Sequence, residues 1–256
     1  MIKIVFFDVD GTLVSPTLRR VPDSARRAIK ELQKRGILCY LATGRHPNNI
    51  KGIGVEEIGF DGIVGLNGQM ATDKDGNVLF SVEMSKKDQE IIVENFNKKT
   101  HPMVIIENNQ QYFNFLNETV ISFRERFKLP MPTVHEYTGN PILQSVIYMS
   151  EEEEGPFMDQ FNCAKSARWN SQGFDIINAN GGKDIGIMKL LDVLNIKPEE
   201  TMAFGDNHND LEMLQYVKIG VAMGNSIDGL KDVADYVTDD VDSDGIYNAL
   251  RHYRII

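Results

Sequence analysis

The segment Met1-Ile2-Lys3-Ile4-Val5-Phe6-Phe7-Asp8-Val9-Asp10-Gly11-Thr12 opens the chain. Its apolar, β-branched and aromatic run reads as a strand buried on both faces. The run stops at two carboxylates spaced two apart, followed by a Gly-Thr turn. Residues two apart along a strand point the same way, so Asp8 and Asp10 emerge together where the strand ends. In open parallel α/β sheets that carboxyl edge is where ligands bind. Two acids crowded at the tip of a buried strand are costly unless a cation or chemistry requires them.

Strand and helix alternate outward from this segment. Pro22-Asp23 starts a helix that carries Ala25, Ile29 and Leu32 on one face and stops at Gly36. Ile37–Ala42 reads as a second buried strand, ending in Thr43-Gly44-Arg45. Gly62–Leu66 is a third, ending in Asn67-Gly68, and Met70–Val82 reads as a hairpin turning at Asp75-Gly76.

The pattern changes between about Glu83 and Asn180. Helices expected over Lys86–Lys98, Glu118–Phe127 and Glu151–Ala164 are interspersed with strands over Met103–Ile106, Tyr112–Leu116 and Gln144–Tyr148. That order suits an α+β unit, a sheet with helices on one face. The acidic run Glu151–Glu154 reads as a solvated first helical turn favoured by the helix dipole. After Lys183 the βα alternation returns, with a helix over Ile185–Leu194 and strands over Thr201–Phe204 and Lys218–Ala222. The expected architecture is α/β: a Rossmann-like parallel-sheet core, residues 1–82 and 181–256, interrupted by an inserted α+β domain over 83–180.

Four separated polar clusters then share one property, each closing a core strand or opening a core helix. They are Asp8-x-Asp10, Thr43-Gly44-Arg45, Lys183, and Asp206 with Asn209 and Asp210. Parallel strands would gather them at one crevice, with Lys183 at a helix N-terminus that favours anions. Carboxylates, an ammonium, a hydroxyl and amides suit a hard divalent cation with oxygen ligands, such as Mg²⁺, beside a phosphate.

Composition narrows the partners. The 256 residues carry 27 basic and 37 acidic side chains, a net charge of −10, which argues against general nucleic-acid binding. An anionic substrate must therefore be captured by local positive groups. No apolar run approaches the roughly 18 residues that span a bilayer, and no basic leader precedes the first strand, so a cytoplasmic protein without membrane partners is expected. Its two cysteines, Cys39 in an apolar run and Cys163 in an expected helix, read as buried thiols rather than a disulfide.

With these clusters in hand, the chain resembles phosphatases of the haloacid dehalogenase superfamily, specifically the Cof-type group with a class IIB α+β cap. Asp8-Val9-Asp10-Gly11-Thr12 is similar to the first motif and Ala42-Thr43-Gly44-Arg45 to the second. Lys183 matches the third, and Gly205-Asp206-Asn207-His208-Asn209-Asp210 the fourth. One local departure is the Gly181-Gly182 pair before Lys183, with Asp184 after it.

The resemblance implies a Mg²⁺-dependent phosphatase acting on small phosphomonoesters, such as sugar phosphates, through an aspartyl-phosphate. It implies Asp8 as nucleophile and Asp10 as general acid and base. Mg²⁺ would sit on an Asp8 carboxylate oxygen, the Asp10 backbone carbonyl and the Asp206 side chain. Thr43, Gly44, Arg45, Lys183 and Asn209 would hold the phosphoryl group or substrate, and Asp210 would orient Lys183 or a metal-bound water. His208 reads as a loop residue, since such sites do not use imidazole. Arg45 stands between contacting the leaving group and pairing with a cap carboxylate, and Trp169 between the cap core and its substrate face. A phosphomutase of the same superfamily is the alternative, and a phospho-accepting receiver domain is a more distant one.

Overall fold

The computed structural model describes residues 1–50, 54–126 and 131–256. The chain divides into two compact units, Met1–Phe80 with Gly181–Ile256, and Ser81–Asn180. In the first unit β1 (Ile4–Phe7) is fully buried, and α1 (Asp23–Lys34) follows it. Acidic Asp23 opens that helix and basic Lys34 closes it, matching the helix dipole. Its Ala25, Ile29 and Leu32 are buried as their spacing predicts. Strands β2 (Leu38–Ala42), β3 (Gly62–Gly65), β4 (Met70–Asp73) and β5 (Val78–Ser81) complete the first run. The β4–β5 turn is tied by Asp73, whose carboxylate accepts from the backbone N–H groups of Asp75 and Asn77.

The second unit holds α2 (Lys86–Lys98), β6 (Met103–Ile106), β7 (Gln111–Phe113), α3 (Glu118–Arg126), β8 (Gln144–Ile147), α4 (Glu151–Met158), β9 (Ala164–Asn170) and β10 (Gly173–Asn178). Its strands form an antiparallel sheet in the order β7-β6-β8-β10-β9. One apolar cluster joins Ile92 and Phe96 of α2, Phe157 of α4, and Ile105, Ile147, Phe174 and Ile176 of the sheet. Buried Asp88 anchors the start of α2, accepting from the Ser85 hydroxyl and from the backbone N–H groups of Asn162 and Cys163.

Several expected elements differ here. The helix expected to run to Ala164 stops at Met158: Gly155 and Pro156 weaken it from within, and further on Asp88 captures the N–H groups of Asn162 and Cys163. Cys163 therefore lies in the bend before β9 and is exposed, while Cys39 is buried; both are free thiols. The strand expected over Tyr112–Leu116 ends at Phe113, because the Asn114 side chain takes the N–H groups of Met103 and Phe115. Phe127, the expected end of α3, lies outside the described residues. The β9–β10 pairing has no counterpart in the expectation.

Returning to the first unit, the chain forms α5 (Lys183–Leu194), β11 (Thr201–Gly205), α6 (Leu211–Tyr216), β12 (Ile219–Ala222), α7 (Asp228–Lys231), β13 (Tyr236–Val237) and α8 (Gly245–His252). Its sheet runs β13-β12-β11-β1-β2-β3-β4-β5, parallel from β13 to β3 and antiparallel between β3 and β4. Val5 and Phe7 pack in one apolar layer, Ile4 and Phe6 in the other. Burial on both faces explains why β1 reads as an unbroken apolar run. Strands β1, β2 and β11 lie side by side, so their carboxyl ends share one edge. No helix among the described residues is long and apolar enough to cross a membrane.

Candidate active site

The edge formed by β1, β2 and β11 gathers the polar clusters. Asp8 follows β1 directly and is buried; its backbone N–H donates to the Phe204 carbonyl of β11. Lys183, the first residue of α5, extends its ammonium between two carboxylates, 2.6 Å from Asp8 Oδ1 and 2.5 Å from Asp210 Oδ1. The lysine side chain has no exposed surface. Burial alone would push its pKa down, but Asp210 and Asp8 outweigh that and hold it above the usual lysine value. Lys183 is a fixed cation.

Packing at the start of α5 explains two glycines, Gly68 and Gly186. Gly68 has φ +88°, and a Cβ there would lie 1.9 Å from the Gly182 carbonyl oxygen. A Cβ on Gly186, one turn into α5, would lie 2.4 Å from Gly68 Cα. The 66–68 turn and the first turn of α5 thus touch backbone to backbone, which requires both glycines. A glycine inside a helix costs about 1 kcal/mol relative to alanine, so Gly186 trades helix stability for this contact.

Asp210 has both oxygens engaged. Oδ1 takes the Lys183 ammonium, and Oδ2 accepts from the backbone N–H groups of Asp206 and Asn207 at 2.9 and 3.0 Å. Asp206 closes β11 and accepts from the Thr12 hydroxyl at 2.7 Å. Gly11 turns beside it with φ +93°, where a Cβ would stand 2.3 Å from Asp206 Oδ2. The Gly-Thr pair after Asp10 therefore clears space for the Asp206 carboxylate and supplies it a hydrogen bond.

One carboxylate oxygen from each of Asp8, Asp206 and Asp210 lies within 4.8 Å of the others. Burial, with neighbouring carboxylates adding to it, raises Asp8 well above the usual range despite Lys183. Burial also pushes Asp206 up to about 6. The cluster holds more negative charge than its one ammonium balances. An all-oxygen donor set in that condition fits a hard divalent cation such as Mg²⁺. Lys183 and two backbone N–H groups already engage both oxygens of Asp210, so Asp8 and Asp206 are the carboxylates that could ligate that cation most readily.

Asp10 lies outside that cluster of three carboxylates. Its side chain is 59% exposed, and Arg45 grips it with Nε at 2.8 Å from Oδ2 and Nη2 at 2.7 Å from Oδ1. This fork–fork geometry is the strongest form of carboxylate pairing. Arg45, expected on the leaving group or on a cap carboxylate, has its guanidinium on Asp10 of its own unit instead. Thr43 is buried, its Oγ1 accepting from the Arg45 backbone N–H at 3.1 Å. Asn209 donates from Nδ2 to Asn67 Oδ1 at 3.2 Å. His208 is exposed in the turn before α6, outside the carboxylate cluster. Trp169 lies outside the apolar cluster of the second unit, half-buried and edge-on to Tyr148 with ring centroids 5.7 Å apart.

Two participants escape the sequence reading. Asn225 donates to the Gly11 carbonyl at 2.8 Å and accepts from the Val241 N–H, bracing the turn beyond Asp10. Asn67 is buried in the turn after β3. Its Asn-Gly sequence signalled a turn but not contact with the other clusters.

This fold and this edge are those of haloacid dehalogenase-like hydrolases. The family's model matches residues 5–250, and the chain belongs to that family. It is 31% identical over 257 residues to the putative phosphatase YkrA of Bacillus subtilis, covering 99% of this chain and 98% of that one. It is 26% identical to the 5-amino-6-(5-phospho-D-ribitylamino)uracil phosphatase YitU of the same organism, covering 98% and 97%. Among solved structures, the subclass IIB sugar phosphatase BT4131 superposes with a TM-score of 0.91 at 30% identity, covering 99% of this chain and 100% of that one.

Proposed function

We propose that the protein is a Mg²⁺-dependent phosphatase that hydrolyses small phosphomonoesters through an aspartyl-phosphate on Asp8. The observation that carries this reading is the buried Asp8–Lys183–Asp210 ladder beside Asp206, at the carboxyl edge of a parallel sheet. Residues 1–82 and 181–256 act as the catalytic core, and the insertion as a cap that sets substrate choice.

Electrostatics explain the ladder. A carboxylate about 4 Å from one phosphate charge meets repulsion of roughly 4 kcal/mol at an effective dielectric of 20. Asp8, Asp206 and the Asp10 carbonyl would hold Mg²⁺, which would supply charge neutralisation for nucleophile and phosphoryl oxygens. Lys183 adds a second, permanent positive charge whose orientation Asp210 fixes. Asp8 attacks phosphorus, forming its Oδ–P bond as the P–O bond to the leaving group breaks. Asp10 donates the proton that the leaving oxygen takes up, then accepts one from the water that hydrolyses the acyl phosphate. Thr43 and Asn209 donate to the equatorial oxygens, where charge develops.

A panel of phosphorylated metabolites, spanning hexose phosphates, nucleotides and flavin-precursor phosphates, tests the reading by release of inorganic phosphate with Mg²⁺. Phosphate release that survives chelation, or that persists in Asp8→Asn, overturns it. An isomerised sugar phosphate in place of free phosphate identifies a mutase instead.

A further inference from the structure

Asn67 sits where three of the site's segments meet. Its backbone N–H donates to the Thr43 carbonyl at 3.1 Å, and its side-chain oxygen accepts from Asn209 Nδ2 at 3.2 Å. The same carboxamide lies against Gly44, where a Cβ would stand 3.0 Å from Asn67 Oδ1 and 3.2 Å from Nδ2. The neighbouring Gly68 abuts Gly182 and Gly186 at the start of α5, which carries Lys183. One residue therefore touches both the Thr43-Gly44 loop and the Asn209 turn, and its neighbour touches the lysine helix.

The backbone there is unusual. Leu66, Asn67 and Gly68 all have positive φ, at +53°, +50° and +88°. A bulky non-glycine residue in that region is an outlier, and asparagine is among the few side chains that accept it readily. A buried carboxamide in a left-handed turn, aimed at a neighbouring loop, is a costly arrangement unless that loop must be held.

We propose that Asn67 is a positioning residue for phosphoryl transfer, which orients the Asn209 carboxamide and holds it in register with Thr43; this rests on the phosphatase reading above. By accepting one N–H of the Asn209 amide, Asn67 fixes the plane of that group. The second N–H is then directed without a choice of rotamer. The Thr43 loop is fixed by the same residue, so two donors to one phosphoryl group keep a common spacing.

The test is a cycle of Asn67→Gly, Asn209→Ala and the double variant, with p-nitrophenyl phosphate as substrate and Mg²⁺ present. Glycine keeps the left-handed backbone and removes the side chain that carries the carboxamide. Asn67→Gly is expected to lower kcat/KM roughly tenfold, the effect of about one hydrogen bond to a charged group, with Tm within about 2 °C of the parent. The double variant is expected to be no slower than Asn209→Ala alone. The ¹⁵N–¹H side-chain amide signal of Asn209, identified by its loss in Asn209→Ala, is expected to move in Asn67→Gly. Multiplicative losses in the double variant, parental rates in Asn67→Gly, or an unmoved Asn209 signal would each overturn the proposal. A parent protein that releases no phosphate from any ester defeats the functional reading instead, and the amide signal still decides whether Asn67 orients Asn209.

Discussion

Arg45 binds Asp10 through two hydrogen bonds of 2.7 and 2.8 Å, one to each carboxylate oxygen, at the mouth of the site. The pair links the strand-end motif of β2 to that of β1 and fixes the orientation of the Asp10 carboxylate. Lysine cannot reproduce a planar two-point grip. Arg45→Ala is expected to lower kcat by about tenfold to a hundredfold, and Arg45→Lys to recover little of it. Parental kcat in Arg45→Lys would show that charge alone suffices; steady-state kinetics on the best ester of the panel decides.

Lys183 holds two carboxylates together with its own side chain and that of Asp210 fully buried and that of Asp8 nearly so. Removing one partner of such a buried network typically costs about 3–5 kcal/mol. Lys183→Met is expected to abolish turnover and to lower the stability of the metal-free protein by about 3 kcal/mol. Adding Asp210→Asn to it relieves one of the stranded charges and restores part of the loss. Denaturant titration of the three proteins in chelator measures both effects.

Asp8→Asn preserves the shape of the side chain and removes its capacity to form an acyl phosphate. Turnover is expected to fall below detection while Tm stays within a few degrees. Mild acid quench of the parent during turnover, with a ³²P-labelled ester, is expected to trap label on the protein, and the same quench of Asp8→Asn to trap none.

Glu107 offers a pH prediction far from the chemistry. This carboxylate is buried in the second unit and accepts from Tyr112 Oη and Thr138 Oγ1, both at 2.6 Å, from Gln110 Nε2 at 2.8 Å and from Asn140 Nδ2 at 3.0 Å. Burial opposes its ionised form, but these donors prevail and hold its pKa below the usual glutamate value. A carboxyl group depressed on folding stabilises the fold above its unfolded pKa, and that stabilisation fades as pH falls through the folded value. Glu107→Gln is expected to cost about 2 kcal/mol at pH 7 and progressively less below about pH 4. Thermal unfolding of both proteins across that range checks the sign.

The candidate catalytic edge was legible where a motif interrupts an apolar run, and Lys183 where a helix opens after two glycines. Asp8, Thr43 and Asp206 announce themselves as polar residues at the tips of strands buried on both faces, and β1, β2 and β11 align those tips. Pairings across the edge were not legible. The Arg45 grip on Asp10 and the Asn67 contact with Asn209 depend on side-chain directions that periodicity does not carry. In the insertion, β9 has the sequence Ala-Lys-Ser-Ala-Arg-Trp-Asn, without apolar alternation, and it pairs with only one neighbour. An edge strand of that kind leaves little hydrophobic signal. Helix α4 reads too long because its charged amphipathic pattern runs past Gly155 and Pro156, and the contacts of Asp88 with the chain beyond it, far away in sequence, are invisible to periodicity.

Trp169 is the sole tryptophan of the chain, and it stands edge-on to Tyr148 within the Ser81–Asn180 unit. Indole emission therefore reports on that unit alone, whereas far-ultraviolet dichroism averages over every helix and strand. Any gap between the two melting curves would reveal the insertion losing its structure independently of the sheet that carries Asp8, without a label or a truncation.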